Sequence, residues 1–162
     1  MWGELIIARV EADGGVYRGA GERLRAGDPI HAGEVVRTNG TTGAVVVLDD
    51  GSRVEMRSQS ELRMERADDG VRIRLDTGGI IVNAAKQRAG HLYVQTKDMT
   101  VSVVGTVFLV NADEQGSRVA VIEGEVRVQQ QGSTEKTLRP GEQAATNAPG
   151  VAARQARLRP EA

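Results

Sequence analysis

Residue types that could do bond chemistry are sparse in this chain, and their spacing argues against an active site. Histidine occurs only at His31 and His91. A metal held by two imidazoles needs carboxylate partners and a fold that brings the four groups together, so both are read as isolated surface or loop side chains. Asp49-Asp50-Gly51 and Asp68-Asp69-Gly70 are the carboxylate pairs that adjoin glycine. Neither carries the oxygen ligands that a calcium loop needs at fixed offsets, and adjacent strand-end carboxylates point apart, so turn chemistry is the reading. Ser52, Ser58, Ser60, Ser102, Ser117 and Ser133 lack the setting of a nucleophile elbow. Gly19-Ala20-Gly21 does not sit between a strand and a helix, so it makes no phosphate cradle. There is no cysteine, which removes disulfides, thiolate ligands and thiol nucleophiles. Asn39-Gly40-Thr41 matches the glycosylation triplet in form but reads as a turn asparagine. The expectation is a chain with no catalytic residues, no metal and no cofactor: not an enzyme.

What remains is charge. Arg53, Arg57, Arg63, Arg66, Arg72 and Arg74 alternate with Glu55, Glu61 and Glu65, in the manner of a cross-strand lattice that keeps a sheet soluble. Of these, Arg53, Arg57, Arg63, Arg72 and Arg74 form the candidate face for an acidic protein partner. Nucleic acid is not expected as a partner. The formal charge is −1, without the basic excess that phosphate contacts require, and only 2% of the residues are aromatic, too few to stack bases.

The elements that must position these groups are strands. Val54 and Met56, Leu62 and Met64, Val71, Ile73 and Leu75, Val119 and Val121, and Val126 and Val128 all alternate with polar neighbours. That is the period of half-buried strands with one wet face. Val101 to Val110 is apolar at most positions and predicts a central strand covered on both sides. Asp50-Gly51 and Asp69-Gly70 predict two-residue hairpins, Pro140-Gly141 a type II turn, and Gly78-Gly79, Glu123-Gly124 and Gly132-Ser133 further breaks. Helical periodicity is nearly absent: one turn is conceivable over 83–88, and helix formers recur over 151–159. The pattern predicts a single all-β domain over residues 1–147. Short antiparallel strands would form a β-roll, solenoid-like or sandwich architecture with almost no helix, and residues 148–162 a linker or C-terminal tail. Two blocks open with Val, any residue, Thr (Val36-Arg37-Thr38 and Val94-Gln95-Thr96) and are read as two differently used strands, not as units of a repeat array. No stretch is apolar enough to span a bilayer, and Met1-Trp2-Gly3-Glu4 does not read as a signal peptide. The expectation is a fragment or mature form of a parent protein that is itself membrane-anchored, or else a cytosolic chain.

An ordered series of phrases resembles the FecR-type domain, the periplasmic part of iron-dicitrate sensor/regulator proteins. The series runs through Ala32-Gly33-Glu34-Val35-Val36-Arg37-Thr38, Val47-Leu48-Asp49-Asp50-Gly51-Ser52-Arg53-Val54, Gly78-Gly79-Ile80-Ile81-Val82 and Tyr93-Val94-Gln95-Thr96. It continues through Val103-Val104-Gly105-Thr106-Val107-Phe108-Leu109-Val110, Val121-Ile122-Glu123-Gly124-Glu125-Val126-Arg127-Val128 and Leu138-Arg139-Pro140-Gly141-Glu142. On that resemblance Thr38, Asp50, Gly51, Thr96, Gly105, Thr106, Phe108, Glu123, Gly124 and Gly141 are family-motif residues with structural roles, Gly105 marking a bulge or close backbone approach. The resemblance implies a location in the periplasm or at the cell surface. It also implies an anti-sigma regulator that relays a signal from a protein partner, a TonB-dependent transporter or another envelope protein. The mode of contact expected from the strands themselves is strand addition at an exposed sheet edge. The alternative is a structural envelope module that self-associates through the same edges into homo-oligomers.

Overall fold

The computed structural model describes residues 6–12, 15–41, 43–85, 91–103, 106–130 and 134–146. Among them there is no helix, and so none long and apolar enough to cross a membrane. The first strands are β1 (Ile6–Ala12), β2 (Val16–Arg18), β3 (Pro29–His31), β4 (Val35–Thr38) and β5 (Ala44–Leu48). Next come β6 (Arg53–Met56), β7 (Glu61–Ala67), β8 (Gly70–Asn83), β9 (His91–Gln95) and β10 (Met99–Val103). The series closes with β11 (Val107–Asp113), β12 (Gly116–Glu123), β13 (Val126–Gln130), β14 (Lys136–Leu138) and β15 (Gln143–Ala145). The chain therefore forms the expected all-β domain.

Two sheets share one strand. Sheet A runs β3-β1-β5-β6-β8-β11-β12-β15 and sheet B runs β2-β4-β7-β8-β9-β10-β13-β14. The first half of β8 belongs to sheet B, where Gly70 to Thr77 pair with β7, and its second half to sheet A, where Gly78 to Asn83 pair with β11. The chain passes repeatedly from one sheet to the other, as in a roll. The alternation read from the sequence holds along the ladder: Leu62, Met64, Ile73, Leu75, Val94, Val101, Val126 and Val128 turn inward from sheet B, and Val46, Val54, Met56, Ile80, Val82, Phe108, Val110 and Val119 from sheet A. All of them join one core; outside, sheet B presents mostly polar residues, while sheet A also carries Val45, Val47, Ile81 and Leu109 half-buried on its outer face.

Gly78-Gly79 does not break the chain into two strands; it bends one. Gly78 has φ +99°, a left-handed conformation that L side chains avoid, and a methyl there would stand 2.4 Å from the Ser60 Cα. The buried Ser60 hydroxyl closes the bend, accepting the Gly79 N–H and donating to the Gly79 carbonyl, both at 3.0 Å. Because β8 itself carries the chain across, β9 returns beside the start of β8 in parallel, with Gly70 opposite His91. This one parallel pair, and the 14-residue length of β8, depart from the expectation of short antiparallel strands.

Three other readings change. Val101–Val110 is not one doubly covered strand: β10 lies in sheet B and β11 in sheet A, each with alternating burial, and the apolar run reflects two half-buried strands in tandem. The Asp50-Gly51 hairpin has a three-residue loop. The Gly51 N–H bonds the Leu48 carbonyl and Gly51 takes φ +94°, a type I turn followed by a left-handed residue. The second hairpin turns on Asp68-Asp69, because Gly70 already pairs with Ala67. Pro140-Gly141 does centre a turn of type II character, with Gly141 at φ +88° and the Glu142 N–H on the Arg139 carbonyl at 2.9 Å. Asn83 to Ala85 are not helical. Gly105, Gly132-Ser133, residues 86–88 and the tail over 148–162 lie outside the described residues.

Candidate functional site

The five arginines of the candidate face do not share one surface. Arg63, Arg72 and Arg74 stand on the outer face of sheet B. Arg63 lies opposite Arg74, and Arg72 between Glu65 and Tyr93. Arg53 lies in sheet A and pairs with Glu11. Arg57 follows β6 and lines a cleft on the outer side of sheet A. Period two along each strand was legible in the sequence; which sheet each strand joins was not.

On sheet B, one carboxylate serves two cations: Glu65 lies 3.7 Å from both the Arg72 and the Arg74 guanidinium. Arg63 reaches Asp76 only at 4.0 Å. These contacts are half-exposed, and such pairs contribute about 0–1 kcal/mol, so they can be exchanged for a partner's groups. Beside them the Tyr93 hydroxyl bonds Asp69 at 3.0 Å. Burial and that carboxylate push the Tyr93 phenol above its ordinary value, against the Arg72 charge. The outward residues further along this face, Gln95, Thr100, Ser102, Arg127 and Gln129, are polar and follow in register.

The cleft on sheet A has a volume of about 510 Å³ and forms where β8 bends. Arg57, Gly79, Asn111 and Arg118 make a row across four neighbouring strand segments. Gly79 carries no side chain, and the Asn111 amide fills the space: a methyl at Gly79 would stand 2.3 Å from Asn111 Oδ1. Gln59, at the rim, holds φ 59°, the one left-handed residue other than glycine among those described. It is locked there because its N–H bonds the Asn39 carbonyl at 2.7 Å and the next residue's N–H bonds Thr38 Oγ1 at 2.8 Å. Asp113 lies at the far side, its carboxylate accepting the Gln115 N–H at 2.8 Å.

The family-motif residues are placed at corners. Thr38 is buried, and its hydroxyl donates to the Arg57 carbonyl at 2.6 Å. The Thr96 hydroxyl accepts the Met99 N–H at 3.2 Å and donates to the Ser117 hydroxyl at 2.7 Å. Thr106 donates to the Glu125 carbonyl at 2.9 Å, tying the crossing after β10 to the crossing at Glu123-Gly124, where Gly124 takes φ +87°. Phe108 is fully buried, Glu123 is exposed at the end of β12, and Asp50, Gly51 and Gly141 are exposed in turns. The sequence reading weighed Ser52 and Ser117 only as nucleophiles; both are buried and bridge segments, Ser52 accepting the Ala85 N–H at 2.9 Å and Ser117 donating to Asp98 at 2.8 Å. Their signal was present as a tetrapeptide written twice, Gly51-Ser52-Arg53-Val54 and Gly116-Ser117-Arg118-Val119. Among the described residues no group of three or more His, Cys, Asp or Glu side chains converges as a metal site. His31 lies 3.5 Å from Glu34, and the His91 side chain is not described.

The family model described as FecR protein matches residues 34–127, more than half of the chain. The chain belongs to the FecR family. Two crystal structures, each of a putative anti-sigma factor from Parabacteroides distasonis, share its architecture. One is 25% identical with a TM-score of 0.66, covering 72% of this chain and 55% of that one. The other is 23% identical with a TM-score of 0.63, covering 72% of this chain and 56% of that one, and bears on the fold alone. The FecR-like chain thus spans little more than half the length of these relatives. No curated protein matches it. Family and fold together support a signalling-regulator role, in a family that is regulatory and whose members have periplasmic domains.

Proposed function

We propose that this FecR-family chain is the extracytoplasmic, protein-binding part of an anti-sigma-type regulator, and that it meets its partner through the outer face of sheet B. The observation that carries this reading is the sharing of Glu65 between Arg72 and Arg74 beside Tyr93. The cluster offers two cations held only loosely by one carboxylate, and an aromatic ring, on a wet surface, and Arg and Tyr are among the side chains that most often anchor protein interfaces. The partner is a protein with an acidic patch, a TonB-dependent transporter or another envelope protein. Strand addition is disfavoured. Among the described residues the four sheet edges, β2, β3, β14 and β15, are strands of three residues, and β2 is further covered by a bridge to Arg23. Edges this short template little pairing, which also weighs against edge-to-edge self-assembly.

The test is photocrosslinking from position 95, next to Arg74 on this face, in the full-length protein in its native envelope. One partner adduct is expected, lost in an R72E/R74E variant. An adduct that survives charge reversal, or none at all, refutes the proposal. Sedimentation of the purified chain addresses assembly: growth with concentration would restore the self-associating alternative.

A further inference from the structure

The geometry points to a second binding site, in the cleft on sheet A, for a carboxylate carried on an apolar peptide segment. Its cations are free to act. Among the described residues, neither the Arg57 nor the Arg118 guanidinium takes part in an ion pair or a side-chain hydrogen bond, whereas Arg18, Arg53, Arg66, Arg72 and Arg74 all have acidic partners. The Asn111 amide oxygen and the Arg57 stem cover Gly79, and the two guanidinia at the ends of this row present planar donor forks of the kind that bind an oxyanion in bidentate fashion. The charge lining the cleft is two arginines against Asp113, a surplus of one. That balance suits a single carboxylate better than a phosphate dianion.

The apolar requirement comes from the adjoining row. Two residues along each strand from the arginine row stand Glu55, Ile81, Leu109 and Ala120, again in register. Ile81, Leu109 and Ala120 are half-buried on the outer face, and Ile122 at the end of β12 is 56% exposed. A ligand whose carboxylate enters the cleft lays its neighbouring side chains on this shelf. The rigid floor favours binding, because Gly79, the Ser60 hydroxyl and the Gln59 backbone are fixed by internal hydrogen bonds before any ligand arrives.

The test is an NMR titration of the isotope-labelled chain at low salt with acetyl-Leu-Glu-Leu-amide, its Leu-Gln-Leu counterpart, and glutarate. The glutamate peptide is expected to shift the Gly79 and Asn111 resonances. The glutamine peptide, and separately the R57Q and R118Q variants, should each weaken binding about tenfold, the scale of one lost charge-assisted contact. Glutarate should bind more weakly than the glutamate peptide, since it lacks the apolar side chains. Both arginines are exposed, so the variants are expected to keep the wild-type melting midpoint. Absence of shifts at the cleft, equal binding of the two peptides, or arginine variants that bind normally overturn the site. Glutarate matching the peptide overturns the peptide as its ligand.

Discussion

Replacing Gly78 by alanine tests the bend on which the two-sheet architecture depends. Three costs add. A left-handed backbone costs an L residue about 1–2 kcal/mol, and Gly78 sits at φ +99°. The new methyl would stand 2.3 Å from Ser60 Oγ and 2.4 Å from Ser60 Cα, an overpacking cost of about 1–3 kcal/mol. Relief by moving Ser60 would break its two bonds to Gly79, at about 1 kcal/mol each. The total is about 4–7 kcal/mol, which for a domain of this size lowers the melting midpoint by roughly 10–25 °C. Gly51→Ala is the control. Gly51 has φ +94° but nothing within 4 Å of the new methyl, so only the backbone term remains, about 1–2 kcal/mol. The assay is thermal unfolding followed by far-ultraviolet circular dichroism. Adding Ser60→Gly should not rescue Gly78→Ala, because the 2.4 Å contact is to backbone. A Gly78→Ala midpoint within about 3 °C of Gly51→Ala would refute the claim that β8 folds over against Ser60, on the usual scale of about 2–4 °C per kcal/mol.

Three further outcomes are expected. Thr38→Val leaves the Ser60 N–H without its buried acceptor and should cost about 1–3 kcal/mol by urea denaturation, whereas Thr38→Ser, which keeps the hydroxyl, should cost clearly less. Burial alone would raise the Glu34 carboxyl, but the His31 N–H and the Arg18 guanidinium outweigh it and hold the group below 4.5. A depressed carboxylate stabilises the fold above its unfolded value, and that contribution fades as pH falls through the folded one. The stability gap between wild type and Glu34→Gln should therefore narrow on acidification below about pH 4.3, and a gap independent of pH would contradict the Arg18 contact. The raised Tyr93 phenol favours the fold below pH 10 or so and loses that contribution as pH climbs through its folded value. Asp69→Asn should lower the Tyr93 ionisation midpoint, read from absorbance at 295 nm and assigned with Tyr93→Phe; an unmoved midpoint would discount the Tyr93–Asp69 bond.

Strand content was legible because every strand buries one face, and that writes a period of two into Leu62-Arg63-Met64 or Val71-Arg72-Ile73-Arg74-Leu75. The partition into two sheets was not. A strand that changes sheets keeps its period, so Val101 to Val110 looked continuous, and Arg53 and Arg57 looked coplanar with Arg72. Gly78-Gly79 was visible as punctuation, but a bend and a break carry the same residues; only the serine docked against Gly78 decides between them. The cleft was harder still to foresee. Arg57 is far in sequence from Asn111 and Arg118, and the residue between them in space, Gly79, contributes no side-chain chemistry of its own.

The position of β8 also bears on how the chain is made. It pairs with β6 and β7, synthesised before it, and with β9 and β11, synthesised after it. While a ribosome delivers the chain from its N-terminus, β8 emerges with one flank of each sheet still missing, and the apolar faces of Ile73, Leu75, Ile80 and Val82 have no complete cover. Closure waits for Phe108 and the strands after it. Long-range pairing of this kind folds slowly and exposes its surfaces meanwhile. The growing chain therefore passes through its most sticky interval when β8 is out and β11 is not, which is the point at which a chaperone, or a pause in synthesis, would matter most.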